Sequence, residues 1–205
     1  MLSQGDISGD ESLVDWLRKY VGRNYIGLVH RLDRNTSGLM IVGKRSKSAN
    51  RLTESLQKGD LERSYLAFVE GKTPQEKKLH HFLLKNEETN EVRVVKEGTK
   101  GAKEAKLSYN CVETFNFEGK EISLLHVILE TGRGHQIRAQ LSHEGHALLG
   151  DTKYKAHIKK PHRPALHSYW LKVPHPMGDG ILEFKDTLPS DLMALIPKET
   201  KIKWP

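Results

Sequence analysis

"AKLSYNCVETFNFEGKEISLLHVILETG", residues 105–132, sets two long strand-like segments, 105–115 and 121–132, on either side of "NFEGK". Both are rich in β-branched, aromatic and aliphatic residues, and the short polar stretch between them suits a turn joining antiparallel neighbours. Upstream, "HHFLLKN" (80–86) and "EVRVVKE" (91–97) bracket "EETN" (87–90) and predict a hairpin, and "SYLAFVEG" (64–71) predicts a further strand. Downstream, "LHSYWLKV" (166–173) and "ILEFKD" (181–186) predict two more. Strands therefore dominate the middle and end of the chain.

Helices punctuate this β pattern. Leu13, Trp16, Leu17 and Tyr20 recur at i, i+3, i+4 and i+7, with Asp10 or Ser12 as a cap and Gly22 as the stop. A second helix starts at Ser46, places Ala49, Leu52 and Leu56 on one face, and ends at Gly59. Residues 134–145 predict a third, with Ile137 and Leu141 inward, and a short fourth after Pro189 carries Leu192, Leu195 and Ile196. "YIGLVH" (25–30) and "GLMIVGK" (38–44) read as strands flanking a connection. The expectation is one α+β domain over residues 1–205, with a mainly antiparallel, bent sheet flanked by helices and loops.

Composition narrows the function classes. The 205 residues suit one domain, and 37% hydrophobic with 29% charged residues is a soluble globular profile. No apolar run approaches the ~20 residues of a membrane helix, and the polar, acidic start does not read as a secretory signal. Cys111 is the single cysteine, so no disulfide framework or thiolate metal cluster is expected, and a reducing cytoplasm is the default location. The net charge of +7 points to an anionic partner. The basic stretches at 44–51, 96–106 and 151–164 suit phosphate-contacting surface.

Most chemistry-bearing motifs are absent. There is no phosphate-binding G-x-x-x-x-G-K-[ST], no G-x-S-x-G elbow, and "TGRGHQ" does not fit a dinucleotide fingerprint. The 11 histidines include neighbours His80 and His81 and the pair His143 and His146. Without an acidic or cysteine partner at ligand spacing, no metal site is expected. His135, His143, His146 and His167 are read instead as donors that face the anionic partner or brace loops. The connection "LVHRLDRNTSGL" (28–39) places Asp33 among Arg31 and Arg34, before Thr36, Ser37 and Gly38. Such a carboxylate can brace a turn through an ion pair, or stay ionised and oriented as a nucleophile or base. Residue types alone leave both open.

Larger blocks decide between them. "HRLDRNTSGL" (30–39), "RSYLAFVEG" (63–71) and "TGRGHQIRAQL" (131–141), in that order, resemble the RluA-type family of RNA pseudouridine synthases. "GHALLGDTKY" (145–154) and "LHSYWLKVPHP" (166–176) are similar to further family segments, so the resemblance runs from about Leu13 to Phe184. It implies an isomerase that converts specific uridines in ribosomal or transfer RNA to pseudouridine without metal or organic cofactor. By resemblance Asp33 is the catalytic carboxylate, Tyr65 stacks on the target base and is a candidate base for the C5 proton, and Arg138 is the basic partner of the carboxylate. Arg31 matches the side chain that enters the space the flipped base vacates, and Ile137 the apolar wall against the tyrosine. Arg133, His135 and Gln136 are RNA-binding candidates. The implied partner is a ribosomal or transfer RNA stem-loop with a flipped uridine, bound by a monomer.

Three features depart from the family pattern. Gly134 stands where threonine is usual, residues 1–205 hold no strand ending in K-P-x-G-L ahead of the first helix, and no S4-like RNA-binding module is expected. An RNA-binding module with lost or reduced catalysis is the alternative these departures allow.

Overall fold

The computed structural model describes residues 11–22 and 24–205. Along the chain it forms α1 (Leu13–Val21), β1 (Gly27–Leu28), β2 (Ser37–Gly38), β3 (Val42–Gly43) and α2 (Ser46–Lys58). Then come β4 (Glu62–Glu70), β5 (Glu76–Lys85), β6 (Val92–Val95), β7 (Lys103–Phe117) and β8 (Lys120–Leu129). The chain closes with α3 (Gln136–His143), a 3-10 turn (Thr152–Tyr154), β9 (Leu166–Pro174), β10 (Ile181–Lys185) and α4 (Ser190–Met193). The α+β class expected from the sequence is the class observed. The described residues up to 63 together with 168–187 form one compact unit, and 64–167 with 188–205 form a second.

In the first unit, Ser12 caps α1 by accepting from the Asp15 N–H, and Gly22 closes it in the left-handed conformation. Asp10, the other expected cap, lies outside the described residues. β1 and β3 pair antiparallel, Gly27 opposite Gly43 and Leu28 opposite Val42. Both glycines are needed because α2 rests on them: an added Cβ would meet the Ala49 side chain at 2.5 and 2.6 Å. Leu52 of α2 packs with Val29, Leu61 and Val173, as its apolar spacing predicts. The strands expected over 25–30 and 38–44 shrink to two-residue pieces. The physical reason is that residues 37–39 leave the hairpin to join β9, where the Leu39 N–H donates to the Ser168 carbonyl at 2.9 Å. β9 in turn pairs antiparallel with β10.

The second unit is built on a five-stranded antiparallel arrangement in the order β4-β8-β7-β5-β6. Between β4 and β7, β8 sets Val127 opposite Tyr65 on one side and Tyr109 on the other. The β7–β8 turn uses Glu118 and Gly119, both at positive φ, which matches the right-handed twist of a tight hairpin. Leu66, Phe68, Leu107, Ile122, Leu124 and Leu125 are essentially sealed from solvent. α3 packs towards β5 and β6, where Ala139 joins Leu83, Val92, Ala105 and Tyr154. Of the expected last apolar run, Leu192 falls inside α4. Leu195 and Ile196 follow it on tighter i→i+3 bonds.

Candidate functional site

The loop between β1 and β2 carries Asp33 and Arg31, both in the first unit. The Asp33 carbonyl accepts the Thr36 N–H at 2.9 Å, closing a turn that leaves Arg34 and Asn35 exposed and the Asp33 side chain half-buried. The loop is held from both ends. Near its start, the His30 Nε2 accepts the Ile41 N–H at 3.1 Å. At its end, Gly38 sits at φ +108°, and an added Cβ would stand 2.2 Å from the Ser168 carbonyl oxygen. Burial, with the positive charge of Arg63 behind it, lowers the His30 ring to about 4, so it is neutral at physiological pH. Asp33 therefore rides on a loop whose base is fixed by an uncharged histidine and a glycine that touches backbone.

The residues 131–138 form a second constellation, inside the second unit. Gln136 is its hub: its Oε1 accepts from the Thr131 hydroxyl at 2.8 Å and the Arg133 N–H at 3.0 Å, and its Nε2 donates to the Lys106 carbonyl at 3.0 Å. With 2% exposure, this amide orders the turn that leads into α3. His135 takes the left-handed conformation at φ 51°, and its Nδ1 lies 2.9 Å from the Tyr154 hydroxyl, which also accepts from the Val92 N–H. Arg133 is exposed and donates through Nε to the Glu104 carbonyl. Ile137 is buried.

Arg138 is the most constrained of the group. Its Nε and Nη2 donate to the two carboxylate oxygens of Asp151 at 2.7 and 2.8 Å, and its guanidinium lies 4.9 Å from the centre of the Tyr154 ring. Asp151 is 1% exposed. It is delivered there because residues 147–149 are bonded along β4, Glu70 N–H to Ala147 and Leu149 N–H to Phe68. Tyr65 is 5% exposed on the same strand. Asp151 and Tyr154 were not among the expected site residues. Their signal was present in "GHALLGDTKY", but a GD-x-x-Y segment on a loop cannot announce which arginine it will hold.

A separate group brings His81, His143 and Glu144 close enough that their ligand atoms lie within 4.8 Å of one another. Glu144 is already paired with Lys77, and the Nδ1 of His81 accepts from Gln140. Spacing along the chain did not show this group, because His81 comes from β5 and the other two from the end of α3.

A family model described as RNA pseudouridylate synthase matches residues 5–143. The chain is 35% identical over 181 residues to the ribosomal large subunit pseudouridine synthase D of Nitrosomonas europaea, covering 83% of this chain and 50% of that protein. The protein of the same name from Vibrio parahaemolyticus is 33% identical over 183 residues, covering 82% of this chain and 54% of its own length. The chain thus spans about half the length of the curated relatives it matches. Among solved structures, human RNA pseudouridylate synthase domain containing 1 superposes with a TM-score of 0.74 at 23% identity, covering 90% of this chain and 78% of that one. At that identity the likeness speaks for the fold.

Proposed function

The chain belongs to the RNA pseudouridylate synthase family, and from that membership we propose that it isomerises uridine to pseudouridine in large-subunit ribosomal RNA. In this reaction the N1–C1′ bond breaks, the uracil turns, and C5 bonds to C1′. The C5 proton leaves and N1 gains one, so atoms balance without a co-reactant. Asp33 supplies the essential carboxylate at the ribose, Tyr65 stacks on the base and takes part in removing the C5 proton, and Arg138 is the basic partner of the carboxylate. A paired base cannot offer C1′ and C5 together, so the uridine must be flipped out at a cost of a few kcal/mol. Arg31, exposed on the Asp33 loop, is the side chain that fills the vacated space, since a planar guanidinium stacks and donates at once.

The observation that carries this proposal is the build of the 28–39 loop. A reacting carboxylate works best when it needs no reorganisation at the moment of reaction, and Asp33 stands on a turn anchored by His30 and by Gly38 and Leu39. The internal bonding of Gln136 supports a positioning role for it, with Arg133 and His135 as the RNA contacts and Ile137 as apolar wall. The protein is proposed to act on a stem-loop as a cytoplasmic monomer without cofactor.

Tritium release from C5-labelled uridine in ribosomal RNA tests the proposal. The chain should release tritium, and Asp33→Asn should abolish release while leaving RNA affinity within about threefold, because one side chain among many backbone contacts is changed. RNA binding by the wild-type chain with no release from any cellular RNA would establish the alternative, a binding module with lost catalysis.

A further inference from the structure

Arg63 begins the inward part of β4 and is only 7% exposed. Its Nε is sealed from solvent and has no hydrogen-bond partner, and among the described residues no carboxylate pairs with its guanidinium. Removing a charged group from water costs several kcal/mol unless a counter-charge or hydrogen bonds compensate. An orphan of this kind in a folded protein calls for a partner. The second orphan is His30, also 7% exposed and close enough to Arg63 to feel its charge. The Nε2 of His30 accepts from Ile41, so the neutral ring carries its proton on Nδ1, and that buried Nδ1–H has no acceptor either. The Thr36 hydroxyl, on the same loop, is likewise buried and unpartnered.

What Arg63 lacks is therefore an acceptor and a counter-charge. A phosphate oxygen supplies both, and the guanidinium fork fits it better than an ammonium would. The first unit carries the exposed basic run Lys44, Arg45, Lys47 and Arg51 at the start of α2, which suits a polyanion rather than a single small anion.

We propose that Arg63 is a seat for one phosphodiester of the RNA strand, with its guanidinium as the donor. This rests on the family-based function, and it assigns a phosphate contact to a residue outside the Asp33, Tyr65 and Arg138 set. The strand's charge satisfies a cation that the free protein holds uncompensated. RNA binding and stability should therefore respond to Arg63 in opposite directions.

The test uses the full chain, a short uridine-containing RNA hairpin, a salt series read by fluorescence anisotropy, and thermal melts of the free protein. Arg63→Met should weaken hairpin binding about tenfold and make the slope of log K against log[salt] shallower by about 0.7–0.9, the share of one phosphate contact. The free Arg63→Met protein should melt at or above the wild-type temperature. Arg63→Lys should restore the salt slope. A slope and affinity equal to wild type in Arg63→Met overturn the proposal, whatever happens to the melting temperature. If the wild type binds no RNA, the family-based function fails and inorganic phosphate decides this proposal alone. A phosphate-induced rise in melting temperature that is larger for wild type than for Arg63→Met upholds the seat, and equal rises overturn it.

Discussion

Arg138 and Asp151 make a two-pronged pair with both side chains buried. Such a pair adds little net stability over an apolar replacement, but removing one member strands the other charge in a dry site. Arg138→Met is expected to lower stability by about 3–5 kcal/mol, read as a fall in the urea midpoint. The double variant Arg138→Met/Asp151→Leu should recover much of that loss. His30 sets a second expectation. Its folded value, about 4, lies below the usual 6.5, so the unfolded chain binds more protons between those limits. Its contribution is complete above about pH 6.5 and is lost as pH falls towards 4, about 3 kcal/mol in all at 1.36 kcal/mol per unit. Melting temperatures taken from pH 7 to pH 4 should fall more steeply for the wild type than for His30→Gln. At this scale the sequence was legible where local pattern places a residue, as it puts Asp33 on the connection between β1 and β2. It was silent where a partner arrives from elsewhere, as Asp151 does for Arg138.

Long elements were legible and short ones were not. β7, β8 and the β5–β6 hairpin fall where expected, because ten-residue runs of strand-forming side chains outweigh local detail and a turn marks each reversal. α1 and α2 fall where their caps and apolar spacing put them. β1, β2 and β3 do not, because two-residue strands depend on bonds made far away in sequence, such as Leu39 to Ser168. α3 is a further case: the spacing of Ile137 and Leu141 found its inward face, yet Gln136, Arg138 and Gln140 are buried as well. Their donors can be buried there because β7 carbonyls, His81 and Asp151 accept from them, while the buried Gln140 Oε1 has no partner. The loop end at β2 gives the element-scale prediction. Gly38→Ala forces a side chain into a positive-φ position that costs about 1–3 kcal/mol, and adds a collision with the Ser168 carbonyl. The variant should melt lower and lose tritium release more severely than its folded fraction explains, since Asp33 sits five residues away on the same loop.

For the molecule as a whole, the +7 charge is the property that every exposed lysine and arginine shares. If RNA is the partner, counterion release makes affinity fall steeply with salt, by about 10³–10⁵ between 50 and 200 mM for six to ten phosphate contacts. A hairpin-binding isotherm repeated over that range should show the fall, and a flat response would remove RNA as the partner. The sequence by itself determined the α+β class, the order of the long elements and the family. Each of these is written in residue type and local spacing, which survive without knowledge of the third dimension. Tertiary structure alone decided that Arg138 is held by Asp151, that Gln136 is spent on its own loop, and that His30 is neutral. It also decided that Arg63 is buried without a counter-charge. These follow from which distant segments meet and how much water they exclude, and burial and pairing are properties of that meeting rather than of any stretch of chain.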